Sequence, residues 1–238
     1  MQVGLRTVLV FGGNGFLGLE FVRQAIDSKV AVTVVHRGTN YWGADRVLSS
    51  PAVRTVLCDR DSLSSCRGLR AGKQVYDWVV DFSARKGDDV DQAIRALLRD
   101  RSAKAYMLIS SEAVYAPVLA FKRVGLTEDA YVRPASMNPL QRLIAGSDEY
   151  ISNKIAQEAA LLEYNGSICV SAVRLPYVLG PRDTSYRLAA LLLLLEAGEA
   201  SLSPASHVPI SFVDVSSVAS ALLHLMRLTA GGSSPPGC

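Results

Sequence analysis

The sequence predicts an α/β protein: a doubly wound parallel sheet with a small C-terminal region. Three observations carry that prediction. Short apolar, β-branched runs alternate with stretches of helical periodicity as far as about position 228. The first apolar run ends in a glycine-rich turn that leads straight into a helix. The glycine and polar residues suited to ligand contact fall just after the predicted strands, where open parallel sheets bind ligands.

Val8, Leu9, Val10 and Phe11 read as a buried strand, followed by Gly12-Gly13-Asn14-Gly15-Phe16-Leu17-Gly18. Gly13, Gly15 and Gly18 fit the G-x-G-x-x-G spacing of dinucleotide sites, with Gly12 as a further glycine in front. One glycine allows the sharp turn off the strand, another lets the backbone approach a pyrophosphate, and the last lets helix and strand pack closely. The helix then offers its unpaired N–H groups and positive dipole end to phosphate. Residues 30–35 form a second β-branched strand, ending in His36-Arg37-Gly38-Thr39. NAD sites usually close this strand with an acid that binds the ribose 2′-OH. Here no acid is present and Arg37 is suited to a 2′-phosphate, so NADP is expected ahead of NAD. His36 is read as structural.

Val53–Leu57 makes the third strand. Asp59, just beyond it, either reaches the adenine amino group or caps the next helix. A fourth strand within 76–84 runs into Ser83 and Ala84, small residues at the ligand edge. Residues 88–98 have helical spacing, with Val90, Ala93, Ile94, Leu97 and Leu98 apolar. Residues 106–109 form the fifth strand, which ends at Ser110-Ser111, and residues 117–147 read as a long surface connection over the site. Asp148 is placed to cap a helix ending near Glu163, and Cys169–Leu175 is the sixth strand. The longest apolar run, 188–195, is well below the ~20 residues of a membrane span and reads as a buried helix within 185–197. A short strand (210–213), an amphipathic helix (215–228) and a low-complexity, frayed tail (229–238) complete the chain. The expected division is a nucleotide-binding part (1–183), a substrate-binding region interleaved with the core sheet (184–228), and the tail.

Composition narrows the function classes. With 49% hydrophobic and 20% charged residues, the 238-residue chain suits one packed α/β domain. A net charge of +3 is too small to mark a nucleic-acid surface, so no nucleic-acid partner is expected. Cys58, Cys66, Cys169 and Cys238 show neither a C-x-x-C pair nor metal spacing. Reduced thiols, no metal and a cytoplasmic location are the expectation. The first strand begins almost at once, so no signal peptide is expected, and with no apolar run long enough to span a bilayer no membrane partner is expected.

Tyr150 and Lys154 lie four apart on a predicted helix and project from one face. A phenol, with a reference pKa of about 10, is a poor proton carrier at neutral pH. A neighbouring ammonium favours the phenolate, and a positively charged nicotinamide ring acts in the same sense. Ser111, at the end of the fifth strand, is suited to hydrogen-bond the substrate oxygen that Tyr150 protonates or deprotonates. The three groups suit hydride transfer between a nicotinamide and a hydroxyl or carbonyl carbon.

Taken together, Gly12 to Gly18, Ser110-Ser111 before Val114-Tyr115, Tyr150-x-x-x-Lys154, Arg174-Leu175-Pro176-Tyr177-Val178-Leu179-Gly180-Pro181 and Phe212-Val213-Asp214-Val215 resemble an extended short-chain dehydrogenase/reductase of the NAD-dependent epimerase/dehydratase type, Rossmann-like in fold. The resemblance runs from Val3 to about Leu228. It implies Ser111, Tyr150 and Lys154 as a catalytic triad, Lys154 as a ribose contact, and Pro176, Tyr177 and Val178 beside the carboxamide. It also implies a small-molecule substrate, a sugar derivative being one candidate, and a monomer or homodimer. The chain departs from the family at three places. Glu112-Ala113 stands where sugar dehydratases carry Asp-Glu, so 4,6-dehydration is not expected. Asp81 stands where a histidine is more usual. The C-terminal region is short. Two other readings of the same fold are a non-catalytic NADPH-sensing regulator, which generally lacks the Tyr or Lys, and an RNA-binding relative, which calls for a basic face.

Overall fold

A computed structural model describes residues 5–39, 41, 43–70, 74–99, 101–119, 126–199 and 210–230. The elements follow in order as β1 (Thr7–Phe11), α1 (Phe16–Asp27), β2 (Ala31–His36), α2 (Ala44–Leu48), β3 (Val53–Leu57), a 3-10 turn (Arg60–Ser65) and α3 (Arg67–Arg70). Then come β4 (Trp78–Asp81), α4 (Gly87–Arg99), β5 (Ala105–Ser111), a 3-10 turn (Glu112–Tyr115) and α5 (Ala116–Leu119). Two more 3-10 turns (Glu128–Ala130, Pro134–Ser136) precede α6 (Pro139–Gly146), α7 (Glu149–Leu162), β6 (Cys169–Leu175), β7 (Tyr177–Leu179), α8 (Arg187–Glu196), β8 (Phe212–Asp214) and α9 (Val215–Ala230).

The main sheet has six strands in the order β3-β2-β1-β4-β5-β6, all parallel, giving a Rossmann-like α/β fold. The strand order reverses between β1 and β4, and this switch point is where such sheets hold ligands. Alternation along β1 explains the layering. Val8 and Val10 face the layer of Phe21, Val22 and Ala25 from α1 and Val218, Leu222 and Met226 from α9. Leu9 and Phe11 face Val90, Ala93, Ile94 and Leu97 from α4 and Leu161 from α7. All four β1 side chains are buried, each stabilising the fold by roughly 1.5–3 kcal/mol. With both faces of the sheet covered at its centre, β1, β2, β4 and β5 are buried along nearly their whole length, which is why they stand out in the sequence, while the edge strands β3 and β6 are only partly buried.

Five details differ from expectation. The 117–147 connection is not an open loop: it contains α5, two 3-10 turns and α6. Asn138 starts α6 with a capping box, accepting from Gln141 N–H while Gln141 bonds back to the Asn138 N–H, and Pro139 opens the first turn. The leucine-rich helix α8 is not buried; Leu191, Leu192, Leu193 and Leu194 are 41–64% exposed. The reason lies in the layers, since α1 and α9 cover one face of the sheet and α4 and α7 the other. Cys58 and Cys66 are joined by a disulfide rather than reduced, because the 3-10 turn between them brings their Cα atoms to 5.7 Å. Tyr177, Val178 and Leu179 form a further strand, β7, which pairs in parallel with β8. Of the expected tail, Thr229 and Ala230 complete α9, and residues 231–238 lie outside the described residues.

Candidate active site

The glycine turn sits at the carboxyl end of β1. Gly12 has φ +76°, a conformation L side chains rarely adopt, and a Cβ on Gly18 would stand 2.3 Å from the Gly12 carbonyl oxygen. The close crossing of turn and helix thus depends on both glycines. Gly13 is buried, Phe16 is half-buried, and Leu17 packs against the core. Gly15 caps α1 without a side-chain bond, and the first turn carries no acid. The N–H groups and positive end of α1 are therefore left for an anion, which fits a dinucleotide diphosphate. The Asn14 side-chain amide donates to the Thr39 carbonyl and ties the turn to the loop after β2.

The other predicted cofactor residues line the same edge. Arg37 is exposed, directly after β2. His36 is buried; its Nδ1 accepts from the Gly38 N–H at 3.1 Å and burial lowers its pKa, in keeping with a structural residue. Of the two roles open to Asp59, the cap is present, with Oδ1 accepting from the Asp61 N–H at 3.1 Å. Ser83 and Ala84 follow β4, and both of their N–H groups donate to Asp81 Oδ1 at 2.9 Å. Pro176 joins β6 to β7, where Tyr177 is exposed and Val178 packs against the core.

Tyr150 and Lys154 come together on α7, whose start is capped by Asp148 accepting from the Ile151 N–H. Lys154 Nζ lies 5.9 Å from the centroid of the Tyr150 ring. It donates to the Ile109 carbonyl of β5 at 3.1 Å and to Gln157 Oε1 at 3.0 Å. An ammonium has three donors, so these two bonds leave one more. Burial lowers the Lys154 pKa, opposed by the charges of Asp81 and Glu158. Tyr150 is 55% exposed, open to an incoming molecule. Ser111 ends β5 and caps the next turn, its Oγ accepting from the Ala113 N–H at 3.2 Å. Beside it Glu112 is half-buried, and that burial raises its carboxyl pKa.

Three polar elements of this region escape sequence reasoning. Gln157 is fully buried next to Lys154, and its Nε2 has no partner among the described residues. Glu158, also buried, accepts from Ser110 Oγ at 2.6 Å and from Arg174 Nη2 at 2.7 Å. Arg174 lies between the rings of Tyr115 and Tyr131, at 4.9 and 4.8 Å, and donates to Tyr115 Oη. It thereby fastens β6 to α7 and to the connection over the site. Third, Arg60 and Asp81 form a buried, two-bond ion pair. Helical spacing hints at the first two, since Gln157 and Glu158 follow Lys154 by about one turn. The Arg60–Asp81 pair leaves no periodic trace.

The parallel sheet, the switch point and the glycine turn define a dinucleotide-binding α/β protein. The chain belongs to the NAD dependent epimerase/dehydratase family, whose model matches residues 8–235, and so to a family of NAD(P)-dependent enzymes. Among solved structures it is similar to vestitone reductase from alfalfa (18% identity, TM-score 0.72, covering 97% of this chain and 74% of that one). It is also similar to UDP-N-acetylglucosamine 4-epimerase from Methanobrevibacter ruminantium M1, in complex with UDP-N-acetylmuramic acid (19%, 0.70, 98% and 75%). A third is dTDP-glucose 4,6-dehydratase from Bacillus anthracis str. Ames in complex with NAD (16%, 0.69, 98% and 73%). At these identities the likeness speaks for the fold. No curated protein sequence matches the chain. Among the described residues no helix is long and apolar enough to cross a membrane.

Proposed function

We propose that this chain is an NADP-dependent oxidoreductase or epimerase acting at a hydroxyl or carbonyl carbon of a small, sugar-derived substrate. The observation that carries the reading is the Tyr150–Lys154 pair on α7, with the ammonium 5.9 Å from the phenol ring and bonded to the Ile109 carbonyl near the end of β5. A bound nicotinamide would supply the hydride chemistry. Tyr150 moves the proton at its Oη, to or from the substrate oxygen. The Lys154 ammonium stands beside the phenol ring, and its third donor is available to a ribose hydroxyl. Ser111 Oγ orients the substrate oxygen. Gly12 to Gly18 take the diphosphate, Arg37 the 2′-phosphate, Asp59 the adenine side in addition to its cap on the Asp61 N–H, Ser83 and Ala84 the cofactor's central stretch, and Pro176, Tyr177 and Val178 the carboxamide. Residues 1–183 hold the cofactor together with Ser111, Tyr150 and Lys154, and 184–228, interleaved with the core sheet through α9, contribute further to the substrate side.

Retention of both Tyr150 and Lys154 favours an enzyme over a cofactor sensor, and the charge of +3 speaks against an RNA-binding role. Titrating the protein with NADPH and NADH, followed by nucleotide fluorescence, tests the cofactor assignment. Arg37→Asp is expected to weaken NADPH far more than NADH. A charge-assisted Arg–phosphate contact contributes about 1.5–3 kcal/mol, or roughly a 10- to 150-fold change in affinity. Equal loss for the two nucleotides would refute the 2′-phosphate role.

A further inference from the structure

Asp81 marks a departure from the family pattern, and its surroundings give that departure a use. The Arg60 guanidinium places both terminal nitrogens on it. Nη1 donates to Asp81 Oδ1 and Nη2 to Asp81 Oδ2, each at 2.8 Å. Nη1 also donates to Ser83 Oγ at 2.8 Å, and Nη2 to the Asp89 carbonyl at 3.0 Å. Those four bonds use every N–H of the two terminal nitrogens. The guanidinium carbon lies 5.4 Å from the centroid of the Phe11 ring, one residue before Gly12. One side chain thus joins the end of β1, the turn after β4 and the first turn of α4.

Ser83 is the link to the glycine turn. Its N–H and hydroxyl are held by Asp81 and Arg60, and its Cβ would lie only 2.9 Å from a Cβ built on Gly12. On the other side, the Gly12 N–H donates to the Val35 carbonyl at 3.2 Å. Gly12 is therefore lodged between β2 and Ser83. A buried ion pair is a poor source of net stability compared with apolar side chains of the same volume. What an apolar pair lacks is the planar fork that holds a hydroxyl and a carboxylate together.

We propose that Arg60 is a positioning residue for the cofactor, holding Ser83 against Gly12 so that the diphosphate turn is set before the nucleotide arrives. The proposal rests on the nucleotide-binding function given above. Arg60 itself touches no cofactor atom; it acts through Asp81 and Ser83.

Arg60→Lys tests this, because an ammonium is not a planar fork that meets both carboxylate oxygens, the Ser83 hydroxyl and the Asp89 carbonyl together. Tyr106→Phe is the matched control: it removes the Tyr106 Oη bond to Asp81 Oδ2, 2.5 Å, and leaves the bonds at Ser83 intact. Two quantities are read. The first is hydrogen–deuterium exchange of the Gly12, Ser83 and Ala84 amides in the protein without nucleotide. The second is the NADPH dissociation constant. Arg60→Lys should speed exchange at these amides by about tenfold or more and weaken NADPH by a similar factor (about 1.4 kcal/mol). Tyr106→Phe should lower Tm while leaving both within about twofold of the parent. Parent-like exchange in Arg60→Lys, or loosening in Tyr106→Phe in proportion to its loss of Tm, would overturn the proposal. Should Arg60→Lys not fold, Ser83→Ala decides by exchange at Gly12 alone, since it keeps the ion pair and removes only the hydroxyl link. If the parent protein binds neither NADPH nor NADH, the function above fails, and the exchange comparison still decides whether Arg60 holds the turn.

Discussion

Tyr150→Phe should lower turnover by about 10²- to 10⁴-fold, the usual contribution of a positioned acid–base group, while NADPH affinity stays within about twofold. The hydroxyl is the only group that the substitution removes, and the ring stays beside the Lys154 ammonium, 5.9 Å away in the parent. The helix should be undisturbed, because Tyr150 is 55% exposed and packs little. The measurement is steady-state NADPH oxidation over a panel of ketoses and nucleotide-linked ketosugars, set beside fluorescence titration of the same preparations. Turnover surviving in the variant would remove Tyr150 from the chemistry. Lys154→Met should behave differently and lose both turnover and affinity. Its ammonium lies beside the phenol ring and holds a donor for the ribose, beyond those given to Ile109 and Gln157. A split of this kind, kcat alone for the phenol and both constants for the amine, separates an enzyme from a cofactor sensor.

The sheet was legible because its chemistry is periodic. β1 and β2 are apolar runs, and the glycine turn announces where β1 ends. The edge positions Gly12 to Gly18, Arg37, Asp59, Ser83 and Ser111 could be read for the same reason, since a parallel strand fixes which end faces a ligand. What escaped was set by tertiary context. A helix rich in leucine reads as buried, yet both faces of the sheet are taken by other helices and α8 contributes no residue to either core layer. In α6 the local signal was present at Asn138, Pro139 and Gln141, but an exposed helix without a buried face has little hydrophobic pattern to reinforce it. The Arg60–Asp81 pair spans 21 positions, and the Arg174–Glu158 pair 16, so neither lies within one turn or one hairpin. Charged residues in such places look like surface until the fold brings them together.

Asp81→Asn should then be the most destabilising polar substitution in the core, by about 3–5 kcal/mol, as expected when one partner of a buried ion pair is removed. Asp81 is wholly buried and accepts from Arg60, Tyr106 and the N–H groups of Ser83 and Ala84. An asparagine still serves the two backbone donors through its oxygen, but its amide faces donors and the Arg60 charge is left unmatched. A shift in the urea midpoint reads the loss. Its pH dependence has a definite sign. Burial pushes the Asp81 carboxyl up, but the Arg60 charge and the bonds from Arg60, Tyr106 and Ser83 outweigh it and hold the folded value below the ordinary 3.8. The carboxylate's contribution is therefore complete above the unfolded value and is lost as pH falls from there through the folded one. The parent should weaken over that acid range, and Asp81→Asn should show a shallower slope there. Some slope should remain in the variant, because Glu20 and Asp77 are lowered as well, with Arg23 and Lys104 as their respective charged partners. Adding Arg60→Met to Asp81→Asn removes the stranded charge and should recover part of the stability. It should not recover nucleotide affinity, because the hydroxyl of Ser83 then has no guanidinium to hold it. Stability and affinity returning together would mean that the pair serves the fold alone.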